Sequence, residues 1–369
     1  MNAINLLRPS RTVVTSLTPR QTSNALAGDG DWVLNMQVSD TSFACSLSNG
    51  QVHVYDRERM NLLMQSSANN SNATTHDMAY SEDGNILFMA QHDGCLAVWD
   101  LRQSDTSIIR TPLATAPLQS LAVGFSDTIV ATGTASGKII FTDWRQQSTL
   151  GSYANSHRGP ITSLCFNGQQ LASGADDGLL CYFDTTQPTE ESASISICNV
   201  GAGLHKVGFC GDSSRAFALT GSETASLWDL KSGTCMHHYG DLRQLLSLQV
   251  GKEVDYLIDA HWETPTNTLA MAVGSNMGNG AIFHLTNEGR WQARQLFTAG
   301  HVGVIRAWHP LSGQSFITAG EDARIVEWTS RITMAPVAKP MVPSSHMVRQ
   351  ADPLSLTDQR PKRLRMSYA

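Results

Sequence analysis

The chain has 369 residues, 41% of them hydrophobic and 16% charged, with a formal charge of −6, a composition that supplies a sizeable core and excludes a solvated, disordered chain. The charge is uneven: from Pro336 onward six Lys/Arg face two Asp, so segment 336–369 carries +4 and the remainder −10. An acidic body excludes broad binding of a phosphate backbone, which needs a basic face, and no apolar run approaches the ~18 residues of a membrane span.

Leu6-Leu7 is followed at once by Arg8, Pro9 and Ser10, which is not the basic-then-apolar pattern of a secretory signal. Seven scattered cysteines without a Cys-x-x-Cys pair argue against a redox dithiol or zinc ribbon. They point to a reducing compartment, nucleus or cytoplasm.

In chain order, Arg11-Thr12-Val13-Val14-Thr15-Ser16-Leu17 is rich in β-branched residues and predicts a strand over 11–17. Asn49-Gly50 turns into Val52-His53-Val54-Tyr55-Asp56, a short apolar run closed by Asp. The polar stretch 65–75 is a flexible connection, and its sequons at Asn69 and Asn72 are idle without a secretory signal. Asp83-Gly84 and Asp93-Gly94 then bracket a copy that ends in Cys95-Leu96-Ala97-Val98-Trp99-Asp100.

The third copy ends in Ile139-Ile140-Phe141-Thr142-Asp143. Just before it, Gly133-Thr134-Ala135-Ser136-Gly137-Lys138 superficially resembles a phosphate loop. It has three residues between its glycines instead of four, and Ile139 stands where Ser/Thr would hold magnesium. No helix follows to receive a phosphate, so a hairpin turn is expected.

The fourth copy is the clearest: strand Ile161 to Phe166, turn Asn167-Gly168, strand Leu171 to Gly174, turn Asp177-Gly178, strand Leu179 to Asp184. Gly201-Ala202-Gly203 is another turn, lacking the rest of a dinucleotide fingerprint. Ala225-Ser226-Leu227-Trp228-Asp229, Ala281-Ile282-Phe283-His284-Leu285 and Arg324-Ile325-Val326-Glu327-Trp328 close the last three copies.

The copies end at 56, 100, 143, 184, 229, 285 and 329, giving intervals of 44, 43, 41, 45, 56 and 44 residues. Five of these fit the ~40–45-residue period of a propeller blade, and the long one places an insertion before the sixth. A single blade exposes two apolar faces, whereas seven stacked radially bury both. The expectation is an all-β, seven-bladed β-propeller over residues 1–335 with a flexible tail over 336–369.

These copies resemble the WD40-repeat family, in which His, Ser/Thr, Asp and Trp form a buried hydrogen-bonded relay within a blade. The resemblance places that tetrad on His301, Thr318, Asp322 and Trp328 in blade seven. Blade four has His157, Ser173 and Asp177 with Phe183 for Trp, and blade two has His76, Asp93 and Trp99 with Met89 for Ser/Thr. The family's clasp closure implies that the strand over 11–17 completes the last blade.

No catalytic motif appears: there is no Gly-x-Ser-x-Gly elbow or His-Glu-x-x-His helix. His237 and His238 are neighbours on a strand and point to opposite faces, which suits a metal badly. No enzyme, cofactor or metal is expected. The resemblance instead implies a scaffold that binds protein partners through mouth loops, at His92, Asp176 and Glu321 before each turn Asp and at Arg158 after His157. Trp99-Asp100-Leu101-Arg102 resembles the box that docks some family members onto a cullin ubiquitin ligase adaptor, an alternative role resting on Arg102. In the tail, Lys362, Arg363 and Arg365 fit a nuclear-import signal, and weak nucleic-acid contact is expected only there.

Overall fold

The computed structural model describes residues 4–14, 31–66, 74–103, 107–264, 266–311 and 315–329. Strand β1 is Asn5–Val14. Blade one follows with β2 (Val33–Val38), β3 (Ser42–Leu47), β4 (Val52–Asp56) and β5 (Leu62–Gln65). Blade two has β6 (Thr75–Tyr80), β7 (Ile86–Gln91), β8 (Cys95–Asp100) and β9 (Ile108–Pro112); blade three has β10 (Leu118–Gly124), β11 (Ile129–Thr134), β12 (Ile139–Asp143) and β13 (Ser148–Tyr153). Blade four comprises β14 (Ile161–Asn167), β15 (Gln170–Ala175), β16 (Leu179–Asp184), the short α1 (Glu190–Ala193) and β17 (Ser194–Asn199). Blade five is β18 (Leu204–Cys210), β19 (Asp212–Thr220), β20 (Thr224–Asp229) and β21 (Thr234–Asp241), followed by α2 (Arg243–Val250). Blade six is β22 (Tyr256–Glu263), β23 (Thr268–Gly274), β24 (Gly280–Leu285) and β25 (Trp291–Phe297), and blade seven is β26 (Ile305–Pro310), β27 (Phe316–Gly320) and β28 (Arg324–Thr329).

Blades one to five are separate four-stranded antiparallel sheets. Their innermost strands meet in a closed ring, β2 against β6, β10, β14, β18, β22 and β26, and β26 again against β2. Strand alternation explains why isolated copies could not be stable. In β7 every residue is buried. Leu87 and Met89 enter an apolar cluster shared with blade one, while Ile86, Phe88 and Ala90 enter another shared with blade three. Side chains of period two thus serve two gaps at once. Seven such clusters fill the seven gaps, and they are the core of the molecule.

Closure is by β1, but over a range shifted toward the N-terminus from the 11–17 expected. Arg8 to Val14 pairs antiparallel with Thr329 to Arg324, completing blade seven. Asn5 to Leu7 pairs parallel with Gln295 to Phe297 of β25, so one strand welds blades six and seven into an eight-stranded sheet. The β-branched residues that mark a strand begin only at Arg11-Thr12-Val13, and Arg8-Pro9-Ser10 carries no such signal. The register instead shifts between Pro9 and Arg11, and a bulge is a place where a strand tolerates proline. Thr15, Ser16 and Leu17 lie outside the described residues.

The insertion before blade six contains a helix, α2, which periodicity did not reveal. Its Leu246, with Leu242 just before it, is fully buried against Trp291 and Ala293, and Gln249 Nε2 donates to the Trp291 carbonyl at 2.9 Å. Within the helix only Leu246 is buried while Leu245 and Leu248 are exposed, so eight residues carry no clear apolar face to stand out among strands.

Candidate partner-binding mouth and axial ring

Strand alternation puts two sets of loops at one end of every blade: the turn between the second and third strands, and the connection entering the innermost strand. This end is the mouth. In blade seven His301 Nδ1 lies 3.0 Å from Asp322 Oδ1, His301 Nε2 lies 2.8 Å from Thr318 Oγ1, and Trp328 Nε1 donates to the same hydroxyl at 2.8 Å. All four residues are buried. Burial pushes the Asp322 carboxyl up, but His301 and the N–H groups of Val302 and Arg324 hold it below the usual range. The carboxylate therefore ties the turn to the loop that carries Val302.

Blade four keeps most of this arrangement. His157 Nε2 is 2.7 Å from Ser173 Oγ and Nδ1 is 3.4 Å from Asp177 Oδ1, while Asp177 Oδ2 accepts from the N–H of Arg158 at 2.7 Å. Phe183, fully buried, has no donor to add.

Blade two departs from the expected tetrad. His76 Nε2 pairs with His92 Nδ1 at 3.0 Å instead of with Asp93, which is taken by Arg110, and the buried Trp99 N–H has no acceptor. The cause is Met89: a thioether in place of a hydroxyl leaves neither the indole nor the imidazole its central partner.

The mouth residues named from the sequence come from different blades and are not one pocket. Glu321 is ion-paired to Arg306, His92 is exposed beside His76, and Asp176 leans toward Gly203 at the blade five side. Arg158 is exposed and its side chain has no ion-pair partner among the described residues. Arg102 lies at the opposite end. Its guanidinium makes two hydrogen bonds, 2.9 and 2.7 Å, to the Asp100 carboxylate two residues back. Lys362, Arg363 and Arg365 lie outside the described residues.

Sequence reasoning missed an axial ring. Each innermost strand breaks register at the same point, and the residue after the break is Asn35, Asp77, Ser120, Ser163, Lys206, Asp259 or Ala307. Five of these side chains, those of Asn35, Asp77, Ser120, Ser163 and Lys206, reach to the next blade. Asn35 Nδ2 donates to Asp77 at 2.9 Å, Ser120 Oγ donates to the Ile161 carbonyl at 2.7 Å, and Ser163 Oγ accepts from Val207 N–H at 3.1 Å. Lys206 Nζ lies 3.1 Å from Asp259 Oδ2. Aligning the seven innermost strands would have found it, since charged residues stand where blades three and four have Ser.

Asp259 raises the Lys206 ammonium above its usual range, outweighing burial, and Asp77 adds to the effect. Burial would raise the Asp259 carboxyl, but Lys206 and then His261 hold it low. Asp77 is raised by burial despite N–H donation from Leu121 and the field of Lys206. His261 and His309 are depressed by burial, His309 to about 3, so both imidazoles are neutral near pH 7. Charge in this ring is spent internally, which makes it a lock between blades. Lys206→Met should cost about 2–3 kcal/mol by denaturant titration, below the ~3–5 of a fully buried pair because a third of the lysine side chain is exposed. Adding Asp259→Asn should recover part of that loss.

Among the described residues no group of three or more His, Cys, Asp or Glu is placed to hold a metal ion.

Known proteins agree with this architecture. The family model "WD domain, G-beta repeat" matches residues 147–184, the blade four copy. "WD repeat-containing protein 89 homolog" of Dictyostelium discoideum is 24% identical over 323 residues, covering 86% of this chain and 88% of that protein. "WD repeat-containing protein GTS1" of Arabidopsis thaliana is 26% identical over 312 residues, covering 79% and 78%. A chain from "Crystal Structure of Mitotic Checkpoint Complex" superposes with a TM-score of 0.68 at 17% identity, over 89% of this chain and 93% of that one. With seven four-stranded blades, a matched repeat and WD-repeat relatives along most of its length, the chain has the fold of a WD40 β-propeller.

Proposed function

We propose that the chain is a non-enzymatic scaffold that holds protein partners at the propeller mouth. The observation that carries this reading is the pinning of the mouth loops. Asp322 accepts from Val302 N–H and Asp177 from Arg158 N–H, while Glu190 accepts from the N–H groups of Ala154, Asn155 and Ser156. Loops already held in place lose little conformational freedom when a partner lands. The similar solved chain comes from a mitotic checkpoint complex, which fits protein partners.

Affinity purification of the tagged full-length chain, analysed by mass spectrometry, tests the reading. Reversing charge at Glu321 should remove a set of co-purified proteins that the unaltered chain retains. An unchanged set would overturn it.

The alternative, docking onto a cullin ubiquitin ligase adaptor through Arg102, draws on the exposure of that side chain. A partner must there displace the two hydrogen bonds to Asp100. Arg102→Glu should deplete a co-purified adaptor if this reading holds, and an unchanged amount removes it. For the tail, import through Lys362, Arg363 and Arg365 is proposed on sequence alone; a tagged chain truncated after Leu356 is expected to lose nuclear enrichment.

A further inference from the structure

The mouth cations fall into two groups. Arg110 is paired with Asp93, Arg306 with Glu321, Arg243 with Asp241 and Arg324 with Asp322. Lys138 and Arg158 are both exposed, and among the described residues neither side chain has an ion-pair partner. Among the described residues Lys252 also lacks one, but Glu253 and Asp255 follow it closely in the chain.

Lys138 and Arg158 come from different blades, and one contact brings their backbones together. Gly137, at φ +83°, lies so close to the next blade that an added Cβ would sit 3.0 Å from the His157 carbonyl oxygen and 3.2 Å from that of Gly159. The turn ending in Lys138 is therefore flush against the loop whose middle residue is Arg158, and a side chain at 137 would be strained as well as crowded. That loop is fixed on both sides: Glu190 gathers Ala154, Asn155 and Ser156, and Asp177 holds the Arg158 N–H. The nearest mouth carboxylate before the turn, Asp176, faces Gly203 on the far side. On a body of charge −10, two unspent cations on a rigid seam are an exception.

We infer that Lys138 and Arg158 form a receptor, at the seam of blades three and four, for an anionic side chain on a segment of a partner protein. This deepens the scaffold reading and rests on it. The chemistry is shared by carboxylate and phosphate: a planar guanidinium grips either through paired N–H groups, and a lysine adds a point charge. The loop that superficially resembles a phosphate cradle thus meets anions through its terminal lysine and a neighbour's arginine, with no helix involved.

Fluorescence anisotropy with the full-length chain tests the inference. The probes are three fluorescein-labelled Gly/Ser decapeptides carrying three Glu, three phosphoserine or three Gln residues, and a single-stranded oligodeoxynucleotide of equal length. One or both anionic peptides should bind at least tenfold more tightly than the Gln peptide, and their ratio identifies carboxylate or phosphate as the preferred source. Lys138→Glu with Arg158→Glu should weaken that binding at least tenfold at an unchanged melting temperature, whereas Arg102→Glu at the other end should leave it intact. If the double reversal fails to fold, Lys138→Gln with Arg158→Gln serves the same purpose. Equal binding by the double variant, no preference for the anionic peptides, or tighter binding of the oligonucleotide would each overturn the receptor. If that happens while the purified partner set still depends on Glu321, the receptor fails and the scaffold stands.

Discussion

Deleting residues 1–14 should abolish cooperative folding or lower the melting temperature by about 5–10 °C, the scale that several kcal/mol sets in a chain of this size. The removed strand is hydrogen-bonded on both sides, to β25 and to β28. Its loss bares two strand edges and opens the eight-stranded sheet between blades six and seven. It also removes Leu7, 2% exposed among Phe297, Trp328 and Val326, and the ion pair of Arg11 with Glu327. A milder variant, Leu7→Ala, should cost about 2–5 kcal/mol by cavity formation alone. Thermal melts followed by circular dichroism check both; an unchanged melt of the deletion would mean the ring is held shut by the blade contacts without β1.

Replacing His301 by Ala should cost about 3–5 kcal/mol, because it removes the buried ring that partners a buried carboxylate and a buried hydroxyl. Asp322 and Thr318 each take one nitrogen of this imidazole, and both side chains are buried. The equivalent change at His76 should cost far less, since among the described residues the hydrogen bond of its ring is to the exposed His92. Denaturant titration of the two variants gives the contrast directly, and equal losses would contradict the relay geometry.

The relay also has a pH signature. The folded Asp322 carboxyl is held below its ordinary range, so its contribution is present above pH ~4 and is lost as pH falls through its lowered folded value. Asp322→Asn should destabilise at neutral pH and narrow its gap to the unaltered protein under acid conditions.

The blades were legible because their signal is local and repeated. Short apolar runs, four of them ending in an aromatic residue and Asp, recur at 41 to 45 residues in five of six intervals with Asp-Gly or Asn-Gly turns, a pattern that needs no knowledge of distant neighbours. The blade four and blade seven tetrads could be placed on these copies through the family resemblance. Blade two shows where the method stops. His76, Asp93 and Trp99 occupy the expected positions, yet one residue, Met89, removes the acceptor at the centre and redirects both His76 and Asp93. Lys138 was equally visible as a residue, but its nearness to Arg158 depends on Gly137 of one blade meeting His157 of the next.

Sequence alone determined the blade count and the position of the insertion, because hydrogen-bonded hairpins and alternating side chains act over a few residues, while the family resemblance placed the blade seven tetrad. Tertiary structure decided how β1 spans two blades, which mouth cations are neutralised within their own blade, and that Asp77, Lys206 and Asp259 share one ring. Those outcomes depend on Coulomb forces and edge pairing between residues up to 321 positions apart, such as Leu6 with Leu296 and Arg8 with Thr329. Only closure of the ring brings such partners within reach.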